Sequence, residues 1–139
     1  MRHFVAYHNT EKMGRALHDR GPLRLVTNKP ARHLIQNVVW FIVGEGARPR
    51  KFYLGSVFLV DQVGEAEEES FQWFAAGPGH LFRPPVSLNE RAWFPDLKKA
   101  VANFSLGVLE IRDEHFIDEL LLLAAQAGHS FASRDTAPS

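Results

Sequence analysis

The chain has no cysteine, and that absence removes a block of chemistry: disulfide frameworks, thiol nucleophiles, iron–sulfur clusters and thiolate zinc sites are all excluded. Long hydrophobic runs are missing too. Apolar stretches such as Leu120 to Ala125 stop far short of the ~20 residues that span a bilayer, and Met1 to Gly14 is interrupted by His3, His8, Asn9, Glu11 and Lys12, which breaks the apolar run a secretory peptide needs. The expectation is a soluble, cytoplasmic protein with no membrane partner. There is no internal repeat, low-complexity segment or Gly/Ser linker, so one domain is expected over residues 1–128, with a flexible tail over 129–139.

Catalytic signatures are equally scarce. The seven histidines show no H-x-H or H-E-x-x-H spacing, so no metal is signalled. There is no G-x-S-x-G elbow, and Ser56 lies inside a strand pattern. No Walker or G-x-G-x-x-G loop occurs; Gly44-Glu45-Gly46 and Gly77-Pro78-Gly79 are turns with no helix after them to orient on a phosphate, so no cofactor is expected. Glu65, Glu67, Glu68 and Glu69 are contiguous enough to repel one another and stay solvated. Neither a spaced Asp/Glu-x-Lys nor an HNH set is visible, so if the protein takes part in DNA cleavage a partner nuclease does the chemistry.

What is present is charge and aromatic rings. Over 139 residues 16 basic and 16 acidic side chains cancel to a net charge of zero. The zero hides a split: residues 1–54 carry ten basic side chains against three acidic ones, a net +7, which leaves −7 for the remainder. Basic residues at a hairpin tip (Arg48, Arg50, Lys51) and in connectors (Arg15, Lys29, Arg32) have the composition of a phosphate-facing surface; scattered cations are equally what a solvated surface carries. There are 3 Trp, 2 Tyr and 11 Phe.

Periodicity gives an α+β pattern. Phe4 to Tyr7 and Leu23 to Thr27 read as strands, with a helical turn at Met13 to His18 between them and a brief helix over Pro30 to Gln36, capped near Asn28 or Lys29. Val38 to Val43 is a continuous apolar run that turns through 44–50 into Lys51 to Val63, the clearest hairpin in the chain. Phe71 to Ala76 and Leu81-Phe82 are further strands, and Pro84-Pro85 reads as a loop because proline gives a ladder no hydrogen. A short helix over Trp93 to Val101, a closing strand over Leu106 to Ile111, and a helix from Glu114 to Ala127 with Asp113 as N-cap and Gly128 after it complete the chain. Five or six strands with little helix between them imply a small, strongly curved β-sheet or open β-barrel with short peripheral helices and a C-terminal helix.

A base held outside a stack needs rings beside amides or hydroxyls. Tyr7, His8 and Asn9 lie where the first strand ends, and Asn28 where the second ends. Trp40, Trp73, Trp93 and Phe94 are the candidate platforms, although Trp40 also suits a core and Trp73 sits in an alternating strand; Trp93 follows a loop, where a tryptophan serves as a ligand contact or lid. Asn103 and Ser105 bracket Phe104 at a strand entrance, where they also suit an Asx or Ser turn.

The order of Phe4-Val5-Ala6-Tyr7-His8-Asn9, Val39-Trp40-Phe41-Ile42, Tyr53 to Asp61, Asn103-Phe104-Ser105-Leu106-Gly107 and a terminal helix resembles the PUA-like superfamily, in particular its EVE and restriction-associated branches. The resemblance covers residues 2 to 127. It implies a barrel whose first strand ends at a pocket, polar contacts to a base from Asn103 and Ser105, and binding of RNA or of modified, flipped bases in DNA. The reading is a non-catalytic domain that takes one base in an aromatic pocket beside a basic surface. The alternatives are a small-molecule, nucleotide-like binding protein or enzyme using the same pocket, and an interaction module that docks a partner protein.

Overall fold

The structure is a computed structural model that describes residues 1–9, 23–46, 50–66, 71–101 and 107–127, with the backbone alone at His8 and Asn9. In chain order it contains β1 (His3–Asn9), β2 (Leu23–Thr27), a 3-10 turn (Arg32–Leu34), β3 (Val38–Glu45), β4 (Lys51–Leu59), β5 (Gln62–Glu65), β6 (Trp73–Gly77), β7 (Gly79–Ser87), α1 (Phe94–Ala100), β8 (Leu109–Ile111) and α2 (Glu114–Gln126). The expected turn at Met13 to His18, the residue Gly128 and the tail fall outside the described residues.

Two sheets form: β7-β4-β3-β1-β8, and β2-β6-β5. The α+β class holds, but two sheets stand where one small curved sheet or open barrel was expected, and among the described residues they do not close into a barrel. Within the larger sheet β1 and β3 are parallel and the other pairings antiparallel. β3 is buried from Val38 to Gly44, which explains its uninterrupted apolar sequence: a strand covered on both faces has no polar side to alternate with. Val38, Trp40 and Ile42 join the cluster under the helices, while Val39, Phe41 and Val43 join a second cluster with Leu23, Leu25 and Ala75 of the smaller sheet. The domain therefore has three layers, helices, large sheet and small sheet, with β3 in the middle.

β4 switches parity part way along. Phe52 and Leu54 pack under the helices, but so does Val57, while Phe58 faces the small sheet. The switch is a bulge at Gly55: Ile42 pairs with Leu54 and Phe41 with Ser56, so Gly55 has no partner in the ladder. Ser56 is thereby turned inward and is 1% exposed.

The hairpin forms as β3 and β4, but its second strand, expected unbroken from Lys51 to Val63, divides at Val60-Asp61, because β4 and β5 belong to different sheets. β6 and β7 make the same passage through Gly77-Pro78-Gly79, with the Leu59 amide donating to the Pro78 carbonyl at 2.9 Å and the Asp61 amide to the Ala76 carbonyl at 3.0 Å. One bent two-stranded ribbon thus serves both sheets. A Cβ at Gly77 would strike the Leu59 carbonyl and one at Gly79 the Val57 carbonyl, so the crossing is too close for any other residue.

Two expectations are corrected. The helix over Pro30 to Gln36 contracts to the 3-10 turn, whose N-cap is Ala31 with no side-chain cap; the Thr27 hydroxyl instead accepts from the Lys29 amide at 3.2 Å. Pro84-Pro85 lies within β7 rather than in a loop, which is tolerated because β7 is the outer strand of its sheet and leaves the ladder there. α2 forms where expected, its Asp113 carboxylate accepting from the His115 amide at 2.9 Å, and it buries Phe116, Leu120, Leu123 and Ala124.

Candidate functional site

Three strands meet at one end of the large sheet. Tyr7 pairs with Ile42 near the end of β1, and Gly44 near the end of β3 faces Phe52 at the start of β4. Gly44 lets the Tyr7 ring lie across β3; any Cβ there would occupy the position of that ring. Arg50 donates from Nη1 to the Tyr7 hydroxyl at 3.3 Å and from Nε to the Gly46 carbonyl at 3.1 Å.

The turn after β7 is clipped onto the same place. The Phe52 amide donates to Asn89 Oδ1 at 2.6 Å, Asn89 Nδ2 donates to the Arg50 carbonyl at 3.3 Å, and the Leu88 amide donates to the Phe52 carbonyl at 2.9 Å. That anchorage delivers Trp93 and α1 to the strand ends. The Phe52 ring lies 6.0 Å from Tyr7 and 5.4 Å from Phe94, and Trp93 stands edge-on to Phe94 at 6.3 Å. Lys98 completes the arrangement: its Nζ sits 4.7 Å from the Phe52 ring centre and 5.8 Å from that of Phe94. An ammonium over a ring face is attracted by the ring quadrupole and keeps its charge available to an anion above it. Rings and cations at a sheet end are the raw material for holding a phosphate next to a base.

Among the expected site residues, Tyr7, Trp93, Phe94 and Arg50 come together here, with Phe94 buried beneath Lys98, while Lys51, one residue before the helix-facing Phe52, lies on the other face of β4. The others are elsewhere. Trp40 is 0% exposed and its indole N–H donates to His3 Nδ1 at 2.9 Å, which puts it in the interior with no face open to a ligand. Trp73 is half-buried on β6 opposite Thr27 and packs with the small-sheet cluster, across the large sheet from Tyr7. Asn28, Lys29 and Arg32 are exposed in the connector that enters β3 at the end away from Tyr7; the length of β3 separates those ends by about 23 Å at the usual strand rise. Arg15, Arg48, Asn103 and Ser105, and the side chains of His8 and Asn9, lie outside the described residues.

Nor does folding gather the described cations of the basic half on one face. Arg2 is engaged by Glu110 through Nε at 3.0 Å and Nη2 at 2.8 Å, and Arg24 lies over the Phe74 ring on the small sheet at 5.0 Å. The described cations of residues 1–54 are therefore distributed over the start of β1, the small sheet, the connector before β3 and the Arg50 end. Sequence reasoning missed Lys98 and Lys99, which come from the acidic half of the chain; Leu97-Lys98-Lys99 on a short helix beside Trp93 was the signal.

It also missed a groove of about 480 Å³ between β7 and the C-terminal end of α2, lined by His80, Leu81, Phe82, Arg83, Pro84 and Pro85 on one side and by Arg91, Leu123 and Gln126 on others. No residue expected in the site lines it. The Pro84-Pro85 step was its trace in the sequence.

Among the described residues no group of three or more His, Asp or Glu side chains is placed to hold a metal ion, and no helix is long and apolar enough to cross a membrane. Comparison of the chain with family models, with curated proteins and with solved structures gives no match.

Proposed function

We propose that the protein is a non-catalytic nucleic-acid-binding domain of PUA-like type, which holds a base of RNA or a modified base of DNA at the Tyr7 end of the large sheet. The observation that carries this reading is Lys98, seated over Phe52 and Phe94 beside a tyrosine bonded to Arg50. Lys98, Lys99 and Arg50 offer charge to the backbone, and the half-buried rings of Tyr7 and Trp93 offer stacking faces worth ~1–3 kcal/mol per base. In this reading Asn103 and Ser105 supply polar contacts to the base edge, as the resemblance implies, and any cleavage is left to a partner.

Fluorescence anisotropy with labelled single-stranded and duplex DNA and RNA, with and without modified cytosine or adenine, tests it. Micromolar binding that weakens with salt is expected. Lys98→Gln and Arg50→Gln should weaken all sequences alike and each lower the salt slope by about one, whereas Trp93→Ala should remove about tenfold of base-selective affinity. Affinity no better than millimolar for every probe at low salt overturns the reading.

A further inference from the structure

We propose that the Tyr7 end of the large sheet takes a two-nucleotide step of a single strand, with the two bases unstacked from each other and the phosphate between them held over Lys98. The inference rests on the nucleic-acid reading and names the form of the ligand. Four rings follow one another across the site: Tyr7 lies 6.0 Å from Phe52, Phe52 5.4 Å from Phe94, and Phe94 6.3 Å from Trp93. The two inner rings, Phe52 and Phe94, are 8% and 2% exposed, and the Lys98 ammonium sits over both. The two outer rings, Tyr7 and Trp93, are half-buried and keep part of their surface in solvent. Ring, cation, ring is therefore the order met along the site.

That order is base, phosphate, base of one strand. Neighbouring bases in a duplex are stacked about 3.4 Å apart along the strand, whereas Tyr7 and Trp93 are separated by the two inner rings, and Trp93 meets Phe94 and no other described ring. A duplex cannot lay adjacent bases on both outer rings without opening, and one base flipped from it reaches one ring and leaves the other idle. An unpaired strand splays its bases onto aromatic faces without first breaking pairs. Lys98 is ready for the phosphate in between: its ammonium has three hydrogens and, among the described residues, neither a hydrogen-bond acceptor nor an ion-pair partner. Arg50 uses Nε and Nη1 on the Gly46 carbonyl and the Tyr7 hydroxyl, which leaves Nη2 for the next phosphate on the Tyr7 side.

Fluorescence anisotropy of the full chain with a labelled oligothymidylate or oligouridylate strand, free and annealed to its complement, tests the inference. The free strand should bind at least about tenfold tighter than the duplex, and in competition the dinucleotide TpT should displace it at least about tenfold better than thymidine monophosphate, because only the dinucleotide occupies both rings. Tyr7→Leu and Trp93→Ala should each weaken the free strand about tenfold, one base apiece. Trp93→Phe should keep most of the affinity while the quenching of tryptophan fluorescence by the bound strand disappears, since Trp40 is interior and Trp73 lies across the large sheet; a loss of folding would not separate the two readouts. A duplex carrying a flipped modified base that binds as tightly as the free strand, or thymidine monophosphate that competes as well as TpT, overturns the two-base arrangement and leaves the nucleic-acid reading standing. Affinity no better than millimolar for every strand and duplex at low salt overturns both.

Discussion

At the scale of single residues, the interior is organised around a polar pair. Trp40 donates to His3 Nδ1 across 37 residues of sequence, with the two rings nearly parallel at 6.1 Å and 17°. The accepting nitrogen carries no proton, so the imidazole hydrogen of the neutral ring resides on Nε2. Trp40→Phe takes away the donor and leaves a buried acceptor, which should cost about 2 kcal/mol in urea denaturation; the double variant with His3→Leu should recover part of that loss. An apolar run showed that Trp40 belonged to a strand, but not that its partner was the third residue of the chain. Tyr7 was legible because a polar pair follows it where an apolar strand stops. At the surface, the Arg2 hydrogen bonds hold the Glu110 carboxyl below the ordinary carboxylate range. A depressed carboxylate contributes stability above its unfolded value and loses it as pH falls through the folded one. In Arg2→Gln the Glu110 titration, followed by NMR, should move back up towards the ordinary value, and the shift in the parent protein should shrink with added salt.

Elements were legible where their period was regular. α2 is the clearest instance, and its two faces make a direct test: Leu120 is fully buried and Leu122 is 53% exposed. Leu120→Ala should cost about 3 kcal/mol by denaturant titration, as large-to-small changes in cores do, and Leu122→Ala should stay within about 0.5 kcal/mol. The elements that escaped sequence reading are those whose regularity is broken by a partner. β4 keeps a helix-facing residue on each side of Gly55 only because the bulge resets its alternation against β3; read as a regular strand, Leu54 and Val57 fall on opposite faces. β7 was hidden by its prolines, which mark a loop until the outer position of the strand is known. Lys98 was passed over because charge was counted along the chain, whereas α1 is carried to the Arg50 end by the Asn89 clip.

At the scale of the whole molecule, β3 belongs to both hydrophobic clusters, and the bent ribbon of β4–β5 and β6–β7 belongs to both sheets. Neither cluster can be dismantled without the strand the other depends on. Thermal unfolding followed by tryptophan fluorescence, with Trp40 in one cluster and Trp73 against the other, should therefore coincide with the loss of far-ultraviolet circular dichroism in one transition. The outer position of β7 has a consequence for the protein in a crowded solution. A sheet that ends on an unpaired strand invites the strand of another molecule, and aggregation follows wherever a long, flat row of amides and carbonyls is offered. Here a visiting chain would meet an outward bow with two adjacent residues that have no hydrogen to give, and the three-residue β8 at the opposite border is too short to template a neighbour. Replacing Pro84 and Pro85 by Thr and Val should open that border to strand addition, read as concentration-dependent dimers and larger species in light scattering. The same two prolines thus deny the outer border of the large sheet a continuous row of hydrogen-bond donors.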